Sequence, residues 1–249
     1  MEDYKILLLY CCPVFLIELY GKLLDYSNCV VYIREIQNIK AAEFDFYDAI
    51  IPCDVYSQNF LNENLENCFT NKNKELCEIL DNKKTFHNFI EKYYKKIKNK
   101  DIKLIPTLTD ITKESAKNFI NLNSEYDNFI IKHNKACGGV WQKKFNKKDI
   151  DEIYNLSLNN YVLQPVVDIN SIYSLDAVCT KGEILSYLIY KYNSVCSTTK
   201  FSSYKEIKDI FFTEIVSKGD IYDKILKFSK KLIKKTKYSS IINIEFIID

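Results

Sequence analysis

Residues Asp127 to Phe145 read DNFIIKHNKACGGVWQKKF: an apolar run ending on Lys132, a polar turn, the adjacent glycines Gly138 and Gly139, and a second run, VWQKKF. The chain holds only 5 glycines in 249 residues, so a neighbouring pair carries information. Without a Cβ, such a turn can bring backbone N–H groups up to a phosphate, and a nearby lysine adds a point charge. KHNKACGGV nevertheless has no Gly-Lys-Ser/Thr ending and no GxGxxG spacing. Taken alone, a glycine-containing hairpin between FIIKH and VWQKKF is the stronger reading.

Outward from that loop, the chain carries alternating strand and helix signals. KILLLY (5–10), CVVYI (29–33) and YDAIIPC (47–53) are short apolar runs of the kind that build a parallel layer. Residues 14–25 between the first two suit a helix, which gives a small α/β layer of some 80 residues. DNKKTFHNFIEKYYKKIKNK (81–100) has Phe86, Phe89, Ile90 and Tyr93 at helical spacing and a lysine-rich end. IKLIPTLT (102–109) reads as a strand broken at Pro106, and TKESAKNFINL (112–122) as a helix with a Thr-x-x-Ser start. NKKDIDEIYNL (146–156) predicts another helix, with Asn146 as its N-cap.

From residue 161 the pattern turns to strands: YVLQPVV, SIYSLDAVCTKG and EILSYLIYKYNSV, the last two joined by a TKGE hairpin. A helix follows, with Ile221, Ile225, Phe228 and Leu232 on one stripe, and the sequence closes on SIINIEFIID. That run sets one carboxylate, Glu245, in apolar surroundings. It is either buried and paired, or on the solvent face with Asn243 and Ile247.

Composition excludes several classes. Lys+Arg 35 against Asp+Glu 33 leaves a net charge of +2, and Arg34 is the single arginine, which argues against nucleic-acid recognition. The 9 cysteines form no CxxC, and with His87 and His133 alone no zinc set is available. They sit mostly in apolar runs, so a reducing, cytoplasmic location is expected. MEDYKILLLYCCPVFLIELYGK is interrupted by Pro13 and Glu18 and lacks signal-peptide flanks, and no stretch is long enough to span a membrane.

The order of DNKKTFHNFIEKY with KLIPT, FIIKHNKACGGV, YVLQPVV, IYSLDAV and INIEFIID resembles the ATP-grasp superfamily, nearest the branch of the carbamoyl-phosphate synthetase large chain and biotin carboxylase. The resemblance covers almost the whole chain. It implies a mixed α/β and α+β architecture: an N-terminal α/β domain over 1–80, then an ATP-grasp fold of two subdomains, 81–160 and 161–249. It further implies ATP and Mg²⁺ as cofactors, and ATP-dependent joining of an unspecified carboxylate to an amine or thiol through an acylphosphate. The alternative is a degenerate ATP-grasp protein that binds nucleotide without turnover. A homo-oligomer is compatible with either.

Residue by residue, the resemblance implies that Lys83, or its neighbour Lys84, and Lys132 contact ATP phosphates. Gly138 and Gly139 would belong to a loop closing over them. Gln164 stands where the family has a hinge Glu; the Pro165 carbonyl and the Val167 N–H would take the adenine edge, and Asp168 the ribose. Glu245 would match the first magnesium-binding acid, with Asp249, four residues on, as a substitute for the second. The family's acylphosphate-steadying arginine has no counterpart; Lys200 is a candidate stand-in, against its reading as an ordinary loop lysine. Three departures stand out: His133 follows Lys132 where proline is usual, Trp141 replaces a third glycine, and the E-x-N strand is not reached before Asp249.

Overall fold

A computed structural model describes residues 4–11, 29–65, 73–97, 102–135, 142–154, 158–167, 171–192 and 213–248. Their contacts divide the chain into two compact units, one drawn from 1–77, 178–186 and 232–242 and the other from 78–177, 187–231 and 243–249. The architecture is mixed α/β, a parallel sheet followed by antiparallel pairing.

In the first unit, β1 (Tyr4–Tyr10) lies between β2 (Cys29–Glu35) and β3 (Ala49–Pro52), both parallel to it. Leu7 and Leu9 of β1 are fully buried and pack with Ile39, Phe44 and Leu61, the last from α1 (Val55–Asn64). Asp54 ties this layer together. One carboxylate oxygen accepts the Ser57 N–H at 2.7 Å and caps α1, and the other accepts the Cys11 N–H at 2.7 Å at the exit of β1. The helix expected over 14–25 lies outside the described residues.

The second unit carries α3 (Lys83–Ile97), which follows α2 (Lys74–Asp81) across a break at Asn82. Ile90 and Tyr93 of its expected apolar face are buried. The Thr112–Ser115 capping box forms as the sequence suggests, opening α4 (Lys113–Leu122). FIIKH and the second half of VWQKKF become β4 (Asn128–His133) and β5 (Gln142–Asn146), an antiparallel pair, and β6 (Tyr161–Pro165) pairs antiparallel on the other side of β4. Phe129, Ile131 and Leu163 point to one face of this sheet, where they form a core with Ile120, Phe145 and Ile153.

Two expectations are corrected. Residues 102–109 form no regular strand; only Leu108 bridges Leu163, with reciprocal bonds of 2.9 and 3.0 Å. Pro106 has no N–H to continue the ladder. The segment after Asn146 is a 3₁₀ helix, Lys147–Ile153, kinked at Asp149, although Asn146 does cap it through its side chain. Its buried residues, Ile150 and Ile153, are three apart, the spacing that a 3₁₀ turn brings to one side.

The remaining strands, β7 (Ser171–Thr180), β8 (Glu183–Tyr192), β9 (Thr213–Ile215) and β10 (Ser240–Ile248), form a sheet in the order β10-β7-β8-β9. The β7–β8 connection is a tight turn with positive φ at Lys181 (48°) and Gly182 (88°), the combination of a type I′ hairpin. Between β9 and β10 runs α5 (Asp220–Thr236), whose Ile225, Phe228 and Leu232 are buried as the stripe predicts.

Candidate functional site

Lys132 is the penultimate residue of β4, opposite Val162 on β6 and Gln142 on β5. Side chains alternate along a strand, so Lys132 shares its face with Ile130, Val162 and Gln164 and points away from the Phe129–Ile131–Leu163 core. Asn134 fastens the end of this strand. Its N–H donates to the Asn160 carbonyl at 2.8 Å, and its own carbonyl accepts the N–H of Lys83 at 2.9 Å. Lys83 opens α3, whose first turn is capped by Asn82: the side-chain oxygen accepts the Lys84 N–H at 3.0 Å.

The ammonium of Lys132 is held below the ordinary lysine value of 10.5, first by burial and then by the positive charge of Lys83; Glu245 acts in the opposite direction, and Lys144 adds to the repulsion. Lys83, Lys132 and Glu245, far apart in sequence, therefore share one electrostatic neighbourhood. A partly desolvated amine beside other amines is a surrounding that favours an anion. Lys84, the alternative to Lys83, is instead paired with Asp110.

Glu245 stands on the exposed face of β10, so the solvent-face reading holds. Its Oε1 accepts the Tyr192 hydroxyl at 3.3 Å. Burial, followed by Tyr190 and the Glu245 carboxylate, pushes the Tyr192 phenol far above its usual range, which keeps it a donor. Beside it, Asn243 donates to Ser174 Oγ at 2.7 Å and to the Asp176 carboxylate. Among the described residues no group of three or more His, Cys, Asp or Glu side chains converges. Glu245 offers one carboxylate, the kind of oxygen ligand that Mg²⁺ takes together with phosphates and water.

Gln164 lies about 7 Å along β6 from the level of Lys132, two residues at ~3.3 Å each. Its amide donates to Thr107 Oγ1 at 2.8 Å. Pro165 ends the strand opposite Phe129, and the next N–H, that of Val166, is taken by the Asn128 carbonyl at 2.8 Å. Val167 opens onto a mostly apolar cavity of about 260 Å³ walled by Ile105, Pro106, Ile225, Phe246 and Ile248, with Lys103 and Lys224 also in its lining. None of Lys83, Lys132 and Glu245 lines it, so the cavity and the lysine cluster are separate features. Gly138, Gly139, Trp141, Asp168, Lys200 and Asp249 lie outside the described residues.

Sequence reasoning missed Lys144, Tyr192 and Asp176. Lys144 could have been found only from the register of the hairpin. The others needed the sheet order, because Tyr192 and Glu245 are carried by strands on opposite sides of β7.

No family model matches the chain, and no curated protein does. Solved structures match over nearly its whole length. D-alanyl-alanine synthetase A from Vibrio cholerae superposes with a TM-score of 0.66 at 17% identity, covering 99% of this chain and 85% of that one. D-alanine–D-alanine ligase from Bacillus anthracis gives 0.58 at 12%, covering 99% and 83%. Carboxyaminoimidazole ribonucleotide synthase from Aspergillus clavatus, complexed with ATP, gives 0.59 at 10%, covering 99% and 67%. At these identities the likeness establishes the fold, which is ATP-grasp. No described helix is long and apolar enough to cross a membrane.

Proposed function

We propose that the chain binds ATP and acts as an ATP-dependent carboxylate–amine or carboxylate–thiol ligase. The observation that carries this reading is the half-buried Lys132 on the face of β4 away from the core, with the charges of Lys83 and Glu245 both acting on it. On this reading Lys83 and Lys132 hold the ATP phosphates, Gly138 and Gly139 belong to the loop covering them, and Gln164 to Val167 form the hinge. The Pro165 carbonyl and Val167 N–H would receive the adenine edge, and Asp168 the ribose. The mostly apolar cavity beside Val167 supports a seat for a planar ring at that end. The division into 1–80, 81–160 and 161–249, and the nearness to the carbamoyl-phosphate synthetase and biotin carboxylase branch, rest on the order of the sequence landmarks and belong to the same proposal.

The chemistry that follows is a carboxylate oxygen attacking the γ-phosphorus as the bond to ADP breaks. An amine or thiol then attacks the acyl carbon, forming the new C–N or C–S bond as the carbon–oxygen bond to phosphate breaks, and phosphate leaves while the nucleophile gives up its proton. The protein contributes positioning and neutralisation of phosphate charge, not a covalent nucleophile. Magnesium, when bound, supplies further neutralisation, with Glu245 as its protein oxygen ligand and Asp249 as the proposed second. Lys200 is the proposed partner of the acylphosphate. A cytoplasmic location fits both the ATP requirement and the cysteine usage.

A second reading, nucleotide binding without turnover, is favoured by one observation: Arg34 is the single arginine, and the sequence places it in the N-terminal layer, away from the ATP-grasp landmarks. Both readings require that ATP raise the melting temperature. At a concentration about a hundred times Kd the gain is roughly 2.7 kcal/mol, or about 5–10 °C for a chain of this size. Lys132→Ala is expected to remove the rise, and a wild type that no nucleotide stabilises would end both readings.

A further inference from the structure

The lysines of β4 and β5 fall into two groups by strand parity. In the β4–β5 register Ile130 lies opposite Lys144, and Lys132 opposite Gln142. Lys144 therefore points to the same face as Lys132, diagonally across the ladder from it, while Lys143 points to the other face. The neighbours of Lys144 are paired. Lys143 contacts Glu152 at 3.0 Å, and Lys147 contacts Asp127 at 2.9 Å. Lys144 has no ion pair among the described residues, and its charge is felt by Lys132.

A solvated lysine on a strand normally needs no explanation. Here Lys132 and Lys144 share a strand face, the positive charges of Lys83 and Lys144 both act on Lys132, and Glu245 is the carboxylate that acts the other way. The negative charge of a nucleotide grows with each phosphate, so the attraction of a third cation is largest for the longest polyphosphate. Lys144 also sits on the strand that follows the Gly138–Gly139 segment, so the same hairpin carries Lys132 on one arm and Lys144 on the other.

Resting on the nucleotide reading above, we infer that Lys144 is a third phosphate-binding cation, and that it makes the site selective for a nucleoside triphosphate over the mono- and diphosphates. The side chain is exposed and its strand is closed by core residues Phe129 and Phe145, so its removal leaves the fold intact.

Isothermal titration of the whole chain with ATP, ADP and AMP tests this, using wild type, Lys144→Ala and, as a control, Lys143→Ala. Lys144→Ala is expected to weaken ATP roughly tenfold, the scale of one charge-assisted phosphate contact, with AMP unchanged and ADP in between. Lys143→Ala is expected to leave all three unchanged. Equal loss for ATP and AMP, or no loss in Lys144→Ala, overturns the inference while leaving nucleotide binding intact. A wild type that binds none of the three overturns the nucleotide reading and this inference with it.

Discussion

The main-chain N–H of Lys83 donates to the carbonyl of Asn134 at 2.9 Å, and Asn134 is two residues beyond Lys132. One backbone hydrogen bond thus joins the start of α3 to the end of β4, and with them the two lysines that dominate the candidate site. Asn82, whose side chain caps α3, holds the other side of this junction. Asn82→Ala is expected to cost about 1 kcal/mol of stability and to weaken ATP binding with it. Denaturant unfolding and calorimetric titration check the pair; an affinity unchanged by the substitution would mean that the junction does not position Lys83.

Burial places Lys132 on a pH scale of its own. Its folded-state value lies below 10.5, because burial and Lys83 disfavour the charged form. The charged form is the one that attracts phosphate. ATP affinity is therefore full at pH values below the lowered pKa and falls as pH rises through it. The sign for folding is opposite: charging the buried amine costs stability, so the ligand-free protein gains stability as pH rises between the lowered value and 10.5. Titrations from pH 7 upward are expected to show the fall in affinity, and Lys132→Arg, which stays charged, to flatten it.

Phe129 is fully buried and packs edge-on to Phe119 at 6.3 Å, with Phe145 at 6.3 Å on β5. It joins α4 to the sheet that presents Lys132 on its other face. Phe129→Ala is expected to cost about 3–5 kcal/mol, seen as a lower unfolding midpoint. Ile130→Val, on the lysine face, is expected to cost about 0.5–1.5 kcal/mol.

Gly182 separates local strain from site effects. Its φ is +88°, and an added Cβ would meet Lys237 Cα at 3.1 Å and the Ile233 carbonyl at 3.3 Å. Gly182→Ala is expected to destabilise by roughly 1–2 kcal/mol without changing ATP affinity. Lys181, at φ 48°, already carries such strain, so Lys181→Gly is expected to be neutral or stabilising in thermal unfolding.

Elements that carry their own local signal were legible in the sequence. The apolar run of β1, the Thr112–Ser115 box of α4 and the Lys181–Gly182 turn each state their conformation within a few residues. The 3₁₀ form of Lys147–Ile153 was not legible, because a period of three and a period of 3.6 cannot be told apart over two buried isoleucines. The reduction of 102–109 to a single bridge depends on where Leu163 lies. Of the candidate site, Lys83, Lys132 and Glu245 are proposals that come from the order of landmarks. Their shared electrostatic neighbourhood was not legible, and neither was the Tyr192 hydroxyl on Glu245, which spans 53 residues of sequence. Lys143 and Lys144 are indistinguishable until the β4–β5 register assigns them opposite faces.

The central claim is that Lys83 and Lys132 frame a nucleotide phosphate site, and a crystal structure with a non-hydrolysable ATP analogue tests it most directly. The account predicts phosphate oxygens within about 2.7–2.9 Å of both ammonium groups, on the face of β4 opposite Phe129. A nucleotide bound elsewhere, or phosphates that touch neither lysine, would contradict it.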